Sequence, residues 1–144
     1  MNRGPDVAVA LIESRTQPEY FLVQRRAMEN KQYPGWLEFP GGKLEKEETP
    51  LEALIREVNE EVGLLVYEAK FLCAIESVFP SGLTHLVNFF VVIPEDWRGK
   101  PIPQEKQRIS WLTLYQIQTY HKMLPLNRAA ALILTTERHP DILD

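Results

Sequence analysis

The stretch from Thr49 to Gly63 leaves a chain like this the least freedom. Thr49, Pro50 and Glu52 read as a helix N-cap, a proline at the first helical position and the return partner of a capping box. Gly63 supplies the stop. Between them Leu51, Leu54, Ile55, Val58 and Val62 recur at helical spacing and share an arc of about 100°, so one face of the helix must lie on a core. Beside that stripe stand Glu57, Glu60 and Glu61. Residues three and four apart are neighbours on a helix, so Glu57 touches both of the others. Like charges so placed repel. Either the face is merely solvated or a hard divalent cation offsets the repulsion, and Mg²⁺, which takes a few carboxylates and bridges to phosphates, fits the second reading. Arg56 and Glu48 are spaced to pair, fixing the preceding loop against the helix and orienting Glu57.

The rest of the chain supplies strands and two more helices. VAVALI at residues 7–12 and YFLVQRR at residues 20–26 are rich in β-branched and aromatic residues and are separated by a polar stretch, which predicts a hairpin. A loop follows over residues 27–36. FLCAIESVF at 71–79 and LTHLVNFFVVI at 83–93 flank Pro80-Ser81-Gly82 and predict a second, longer hairpin. Residues 97–107 read as a loop, RISWLTL as a strand running into a helix from about Thr113, and LNRAAALILTTER as a C-terminal helix begun near Leu126. Strands and helices mixed in 144 residues predict a single domain over 1–144 of α/β or α+β class, with helices packed on a mixed sheet.

Charge narrows the function classes. The net charge is −4, and residues 43–63 hold seven acidic and three basic residues, so the whole imbalance sits in that segment. An acidic focus repels a polyanion unless a cation intervenes, which argues against a duplex nucleic-acid surface. No apolar run reaches membrane-spanning length and the N-terminus lacks a signal-peptide core, so the expected location is the cytoplasm. Cys73, the sole cysteine, is expected as a buried small hydrophobe. His85, His121 and His139 lack zinc spacing, and His85 is expected exposed or satisfied on a strand. Gly41-Gly42-Lys43 is not a P-loop, and no GxSxG occurs.

The segment Gly42, five residues, Glu48, seven residues, Arg56-Glu57-Val58, Asn59, Glu60-Glu61, Val62, Gly63-Leu64 resembles the Nudix box at every defined position. Chance agreement on that pattern is well below ~1 in a million, which displaces the solvated-face reading. The box spans residues 42–64. The resemblance implies a hydrolase of nucleoside diphosphates linked to a second group, on an α/β/α sandwich with a mixed sheet. QRRA at 24–27, LEFPGGK at 37–43, Phe79-Pro80 and LPLN at 124–127 are similar to segments of the MutT-like branch, which cleaves nucleoside triphosphates to a monophosphate and pyrophosphate.

Carried over by position, the resemblance implies Mg²⁺, with Mn²⁺ able to stand in, held by Glu57, Glu60, Glu61, the carbonyl of Gly42 and the loop carboxylate Glu105. Glu57 or Glu105 would take the proton from the attacking water, with Arg56 and Glu48 as the supporting pair. Arg26, Phe39, Lys43 and Asn127 would contact a small-molecule nucleotide. Phe39 as plain core, Asn127 as a helix cap and Glu105 as a solvated charge remain open beside those roles. After Phe79-Pro80 the branch prototype has an acidic and a basic residue near the base, whereas this chain has Ser81 and Gly82. That departure weakens any inference to oxidised guanine. The main alternative is a pyrophosphohydrolase of nucleotide sugars, ADP-ribose or RNA 5′ ends, against which EFPGGK and the absence of a sugar-binding extension weigh. A non-catalytic nucleotide-binding module would be expected to lack a box glutamate, and none is missing here. A monomer or a homodimer is compatible with the sequence.

Overall fold

The strand that organises the molecule is β1 (Val7–Ile12), all six of whose residues are buried. A continuous apolar run of this kind belongs to a strand covered on both faces. In the computed structural model, which describes residues 2–105 and 107–143, β1 lies between β4 (Gly41–Lys43), antiparallel to it, and β7 (Thr84–Val92), parallel to it. β6 (Lys70–Val78) completes this mixed four-stranded sheet on the far side of β7. A second, antiparallel sheet is ordered β3 (Leu37–Glu38), β2 (Tyr20–Arg25), β9 (Arg108–Thr113). β5 (Leu65–Val66) pairs with β8 (Trp97–Arg98), so the segment read as a loop from residue 97 begins as a short strand.

Alternation along β1 divides the core in two. Val7, Val9 and Leu11 join Phe21, Val23, Phe39 and the inner face of α3 (Pro125–Arg138), namely Ala130, Ala131 and Leu134; Leu114 and Ile117 of α2 (Leu114–Thr119) pack there too. Ala8, Ala10 and Ile12 point the other way, onto Ala53, Leu54, Val58 and Val62 of α1 (Pro50–Val62). Helices thus cover both faces of a mixed sheet, the expected α/β/α sandwich. No helix among the described residues is long and apolar enough to cross a membrane.

The first predicted hairpin does not form. Among the described residues the two segments pair only where they adjoin, at the bridge between Glu13 and Phe21 and through the Ser14 N–H bonded to the Tyr20 carbonyl, and β1 and β2 then part into different sheets. The physical reason is occupancy: β4 and β7 take both edges of β1, while β3 and β9 take both edges of β2. The second hairpin forms as β6 and β7, with a register shift between Phe71 and Cys73. Cys73 is half-buried rather than fully enclosed. His85 is buried, its Nδ1 2.7 Å from the Pro5 carbonyl, while its Nε2 has no partner among the described residues; it is neither exposed nor fully satisfied.

Candidate active site

α1 begins and ends as its caps dictate. The Thr49 hydroxyl accepts from the Glu52 N–H at 3.1 Å, the Glu52 carboxylate accepts from the Thr49 N–H at 2.9 Å, and Gly63 closes the helix at φ 71°. With both ends fixed and Leu54, Val58 and Val62 locked into the core, the rotation of the helix is set. Glu57, Glu60 and Glu61 therefore flank a cleft of about 370 Å³ whose other lining residues are Gly41, Gln104 and Glu105.

One guanidinium holds three carboxylates, and a fourth is held separately. Arg56 grips Glu48 through two hydrogen bonds of 2.7 and 2.9 Å, and its remaining donors reach Glu57 at 2.9 Å, Glu60 at 3.2 Å and the Lys43 carbonyl at 3.1 Å. The pairing expected of Arg56 and Glu48 is thus present, and Glu57 hangs from the same guanidinium. Hydrogen bonds from Arg56 hold the Glu48 carboxyl down at about 2, and Glu48 and Glu57 hold the Arg56 guanidinium more firmly protonated than usual. Behind Glu57 lies Gly42, where a Cβ would fall on the carboxylate, 2.6 Å from each of its oxygens. At Gly41 a Cβ would strike the Ala8 carbonyl. Both glycines are requirements of close approach rather than of backbone dihedral.

Glu61 is the buried member of the set. Its Oε1 accepts from Gln24 Nε2 at 2.7 Å and its Oε2 from the Gly41 N–H at 3.2 Å. Burial pushes its carboxyl up to about 8, a rise that the Gln24 hydrogen bond opposes and the Glu57 charge reinforces. Glu38, next to it, is also raised by burial despite its 3.0 Å ion pair with Arg26. Glu105 reaches the cleft on a loop stitched to the end of α1: the Gln104 N–H and the Gln107 side chain both donate to the Glu61 carbonyl, at 3.0 and 2.8 Å, and the Ile102 N–H donates to the Val62 carbonyl at 2.9 Å. These bonds satisfy carbonyls that a helix end leaves open.

The predicted ligand set is not preassembled. Among the described residues no three His, Cys, Asp or Glu side chains stand ready around one point. Arg56 holds Glu57 and Glu60 at 2.9 and 3.2 Å, while Gln24 and the Gly41 N–H hold Glu61. The donor chemistry nevertheless fits a hard dication: the carboxylates Glu57, Glu60, Glu61 and Glu105 line the cleft together with Gly41 and the amide of Gln104.

The predicted nucleotide contacts fall elsewhere. Arg26 leaves β2 to bond Glu38 and the Gln32 carbonyl, tying the 27–36 loop down. Lys43 is exposed at the end of β4. Phe39 is only 3% exposed and belongs to the core, and its N–H is held at 2.9 Å by the buried side chain of Asn127. Asn127 is therefore not a helix cap; that position is Leu124, and the Asn127 amide ties α3 to the segment between β3 and β4. None of these four lines the carboxylate cleft. Gln24 and Glu38 were missed by sequence reasoning, although a lone glutamine in the apolar run YFLVQRR was the available signal.

The NUDIX domain profile matches residues 2–134 of the chain. The chain belongs to the Nudix family. Among curated proteins it is 37% identical over 111 residues to the 8-oxo-dGTP diphosphatase of Escherichia coli, covering 75% of this chain and 79% of that protein. It is 34% identical over 94 residues to the 8-oxo-dGTP diphosphatase of Haemophilus influenzae, covering 65% of each. The MutT protein of Methanosarcina mazei superposes with a TM-score of 0.82 at 20% identity, over 96% of this chain and 99% of that one, and so shares the fold. The reading of this Nudix chain as a MutT-like hydrolase of phosphoanhydride bonds is borne out.

Proposed function

We propose that this Nudix enzyme hydrolyses a nucleoside triphosphate, normal or modified, to the monophosphate and pyrophosphate, with Mg²⁺, in a housecleaning role on the cytoplasmic nucleotide pool. The observation that carries the proposal is the carboxylate cleft: Glu57, Glu60 and Glu61 on one capped helix, Glu105 across from them, and a glycine behind Glu57 where a Cβ would meet the carboxylate. Glu57, Glu60, Glu61, Glu105 and the Gly42 carbonyl are the residues that would hold the cation. When bound, it neutralises phosphate charge and makes water a better nucleophile.

The chain's own residues do the rest. Phosphoryl transfer needs positioning and charge neutralisation more than covalent help. Arg56, pinned by Glu48, fixes the Glu57 carboxylate in orientation. Glu57 or Glu105 takes the proton as the water attacks, since both face the cleft and are of the right type. Arg26, Lys43 and Asn127 contact the nucleotide, Asn127 through the amide nitrogen left over after its oxygen has taken the Phe39 N–H. The Phe39 ring contributes as core support. Ser81 and Gly82, at the exposed hairpin tip, bring no charge toward a base, so the relatives' named substrate becomes one compound in a panel rather than the assumed one.

The test is product identification by ³¹P NMR with 8-oxo-dGTP, the ordinary nucleoside triphosphates, ADP-ribose and a nucleotide sugar. Equimolar monophosphate and pyrophosphate from a triphosphate is the expected result. Turnover confined to ADP-ribose or the sugar nucleotide would overturn the substrate class, and nucleotide binding without turnover of anything would make the chain a binding module.

A further inference from the structure

Gln24 is a polar residue on a strand face otherwise given to the core. It follows Leu22 by two positions on β2, so both point toward α1, and it stands opposite Glu38 on one side and Ile109 on the other. Only 5% of it is exposed. Its Nε2 donates to Glu61 Oε1 at 2.7 Å and reaches Glu38 Oε2 at 3.4 Å. Its Oε1 is buried with no hydrogen-bond partner among the described residues. Reversing the amide would remedy nothing, because it would aim the oxygen at two carboxylates. Glu38 is itself held from the far side by Arg26 at 3.0 Å, so the direction of the amide is set by two anchored acceptors.

Such a residue is a poor choice for stability. An orphan amide oxygen in a buried site is costly, and methionine would fill the same space without one. What the amide offers is a donor that carries no charge. A lysine or arginine here would neutralise Glu61 and repel a dication, whereas an apolar side chain would leave Glu61 held by the Gly41 N–H alone. We propose that Gln24 is a positioning residue of the metal site, a neutral donor that fixes one oxygen of Glu61 so that the carboxylate meets the cation already oriented. Carboxylates that ligate metals are commonly held by such hydrogen bonds, and losing the partner weakens metal affinity about 10- to 100-fold. The proposal rests on the reading of Glu61 as a metal ligand.

The experiment compares wild type, Gln24→Met and Glu61→Gln without nucleotide, measuring Mg²⁺ affinity by calorimetry and melting temperature with and without Mg²⁺. Gln24→Met should melt, metal-free, at or above the wild-type temperature, bind Mg²⁺ about 10- to 100-fold more weakly, and recover turnover when Mg²⁺ is raised. Affinity within twofold of wild type overturns the proposal. So does a lowered metal-free melting temperature with unchanged affinity, which is what a purely structural glutamine would show. If Glu61→Gln binds Mg²⁺ like wild type, the metal assignment beneath the proposal fails instead. Should Gln24→Met not fold, the unaltered protein still decides: Mg²⁺ should shift the Gln24 side-chain NH₂ resonances together with the Gly41 amide, and a Gln24 pair that stays put while Gly41 moves refutes the role.

Discussion

At Gly42 one hydrogen atom stands where any other residue would place a carbon on the Glu57 carboxylate. Gly42→Ala is therefore expected to displace Glu57 by about an ångström from the geometry that Arg56 sets, and a misplacement of that size can cost about 100-fold in rate. Steady-state kinetics at saturating Mg²⁺ checks this, with circular dichroism to confirm the fold; wild-type kcat would show that Glu57 has room to spare. The residues of the box were legible in sequence because their spacing is local: one helix and the loop before it carry nearly all of them. Gln24 and Glu38 were not legible as site residues. They reach Glu61 from a different sheet, and only tertiary packing brings β2, β3 and α1 to one point. Phe39 shows the converse, a residue quoted for its place in a motif whose ring the fold assigns to the core.

Among the elements, α1 carries the most information per residue. Its capping box, N-terminal proline and left-handed glycine are all formed as the sequence predicts. Thr49→Ala removes the acceptor for the Glu52 N–H and should cost about 1 kcal/mol in urea unfolding, while turnover well below the melting temperature stays near wild type because no carboxylate is touched. A loss of turnover matched by no loss of stability would show that the cap sets the helix position rather than its stability. The strands were less legible. Apolar runs announce strands but not their neighbours, and β1 and β2, adjacent in sequence, joined different sheets because each had stronger claims on both its edges. The β6/β7 hairpin was readable since a short Pro-Ser-Gly turn leaves the two strands no other partner so close.

Across the whole molecule, a clasp far from the box residues in sequence joins the chain's two ends. Glu13, just past β1, is buried and takes two hydrogen bonds from Arg138 at the end of α3, at 3.1 and 2.8 Å, and a third from the Glu19 N–H at 3.0 Å. Burial alone would raise the Glu13 carboxyl, but Arg138 and the Glu19 N–H outweigh it and hold the group below its ordinary value of 4.5. Because the folded value lies below the unfolded one, the unfolded chain binds the proton more readily. The stabilisation is thus present in full above the unfolded value and fades as pH falls through the folded one. Glu13→Gln should lose about 2 kcal/mol at pH 7, and the deficit should shrink toward zero as pH falls through the lowered folded value, as measured by denaturant unfolding across pH. A deficit independent of pH would assign the loss to packing. No sequence pattern announced this pair, since 125 residues separate its members.

If the carboxylate cleft on α1 is a metal platform for nucleotide hydrolysis, initial-rate turnover of a nucleoside triphosphate as Mg²⁺ is titrated, in wild type and Glu61→Gln, will show it. Wild type should require Mg²⁺, and Glu61→Gln, folded as judged by circular dichroism, should fall by at least about 100-fold at low Mg²⁺. Full turnover by Glu61→Gln at low Mg²⁺ would contradict it.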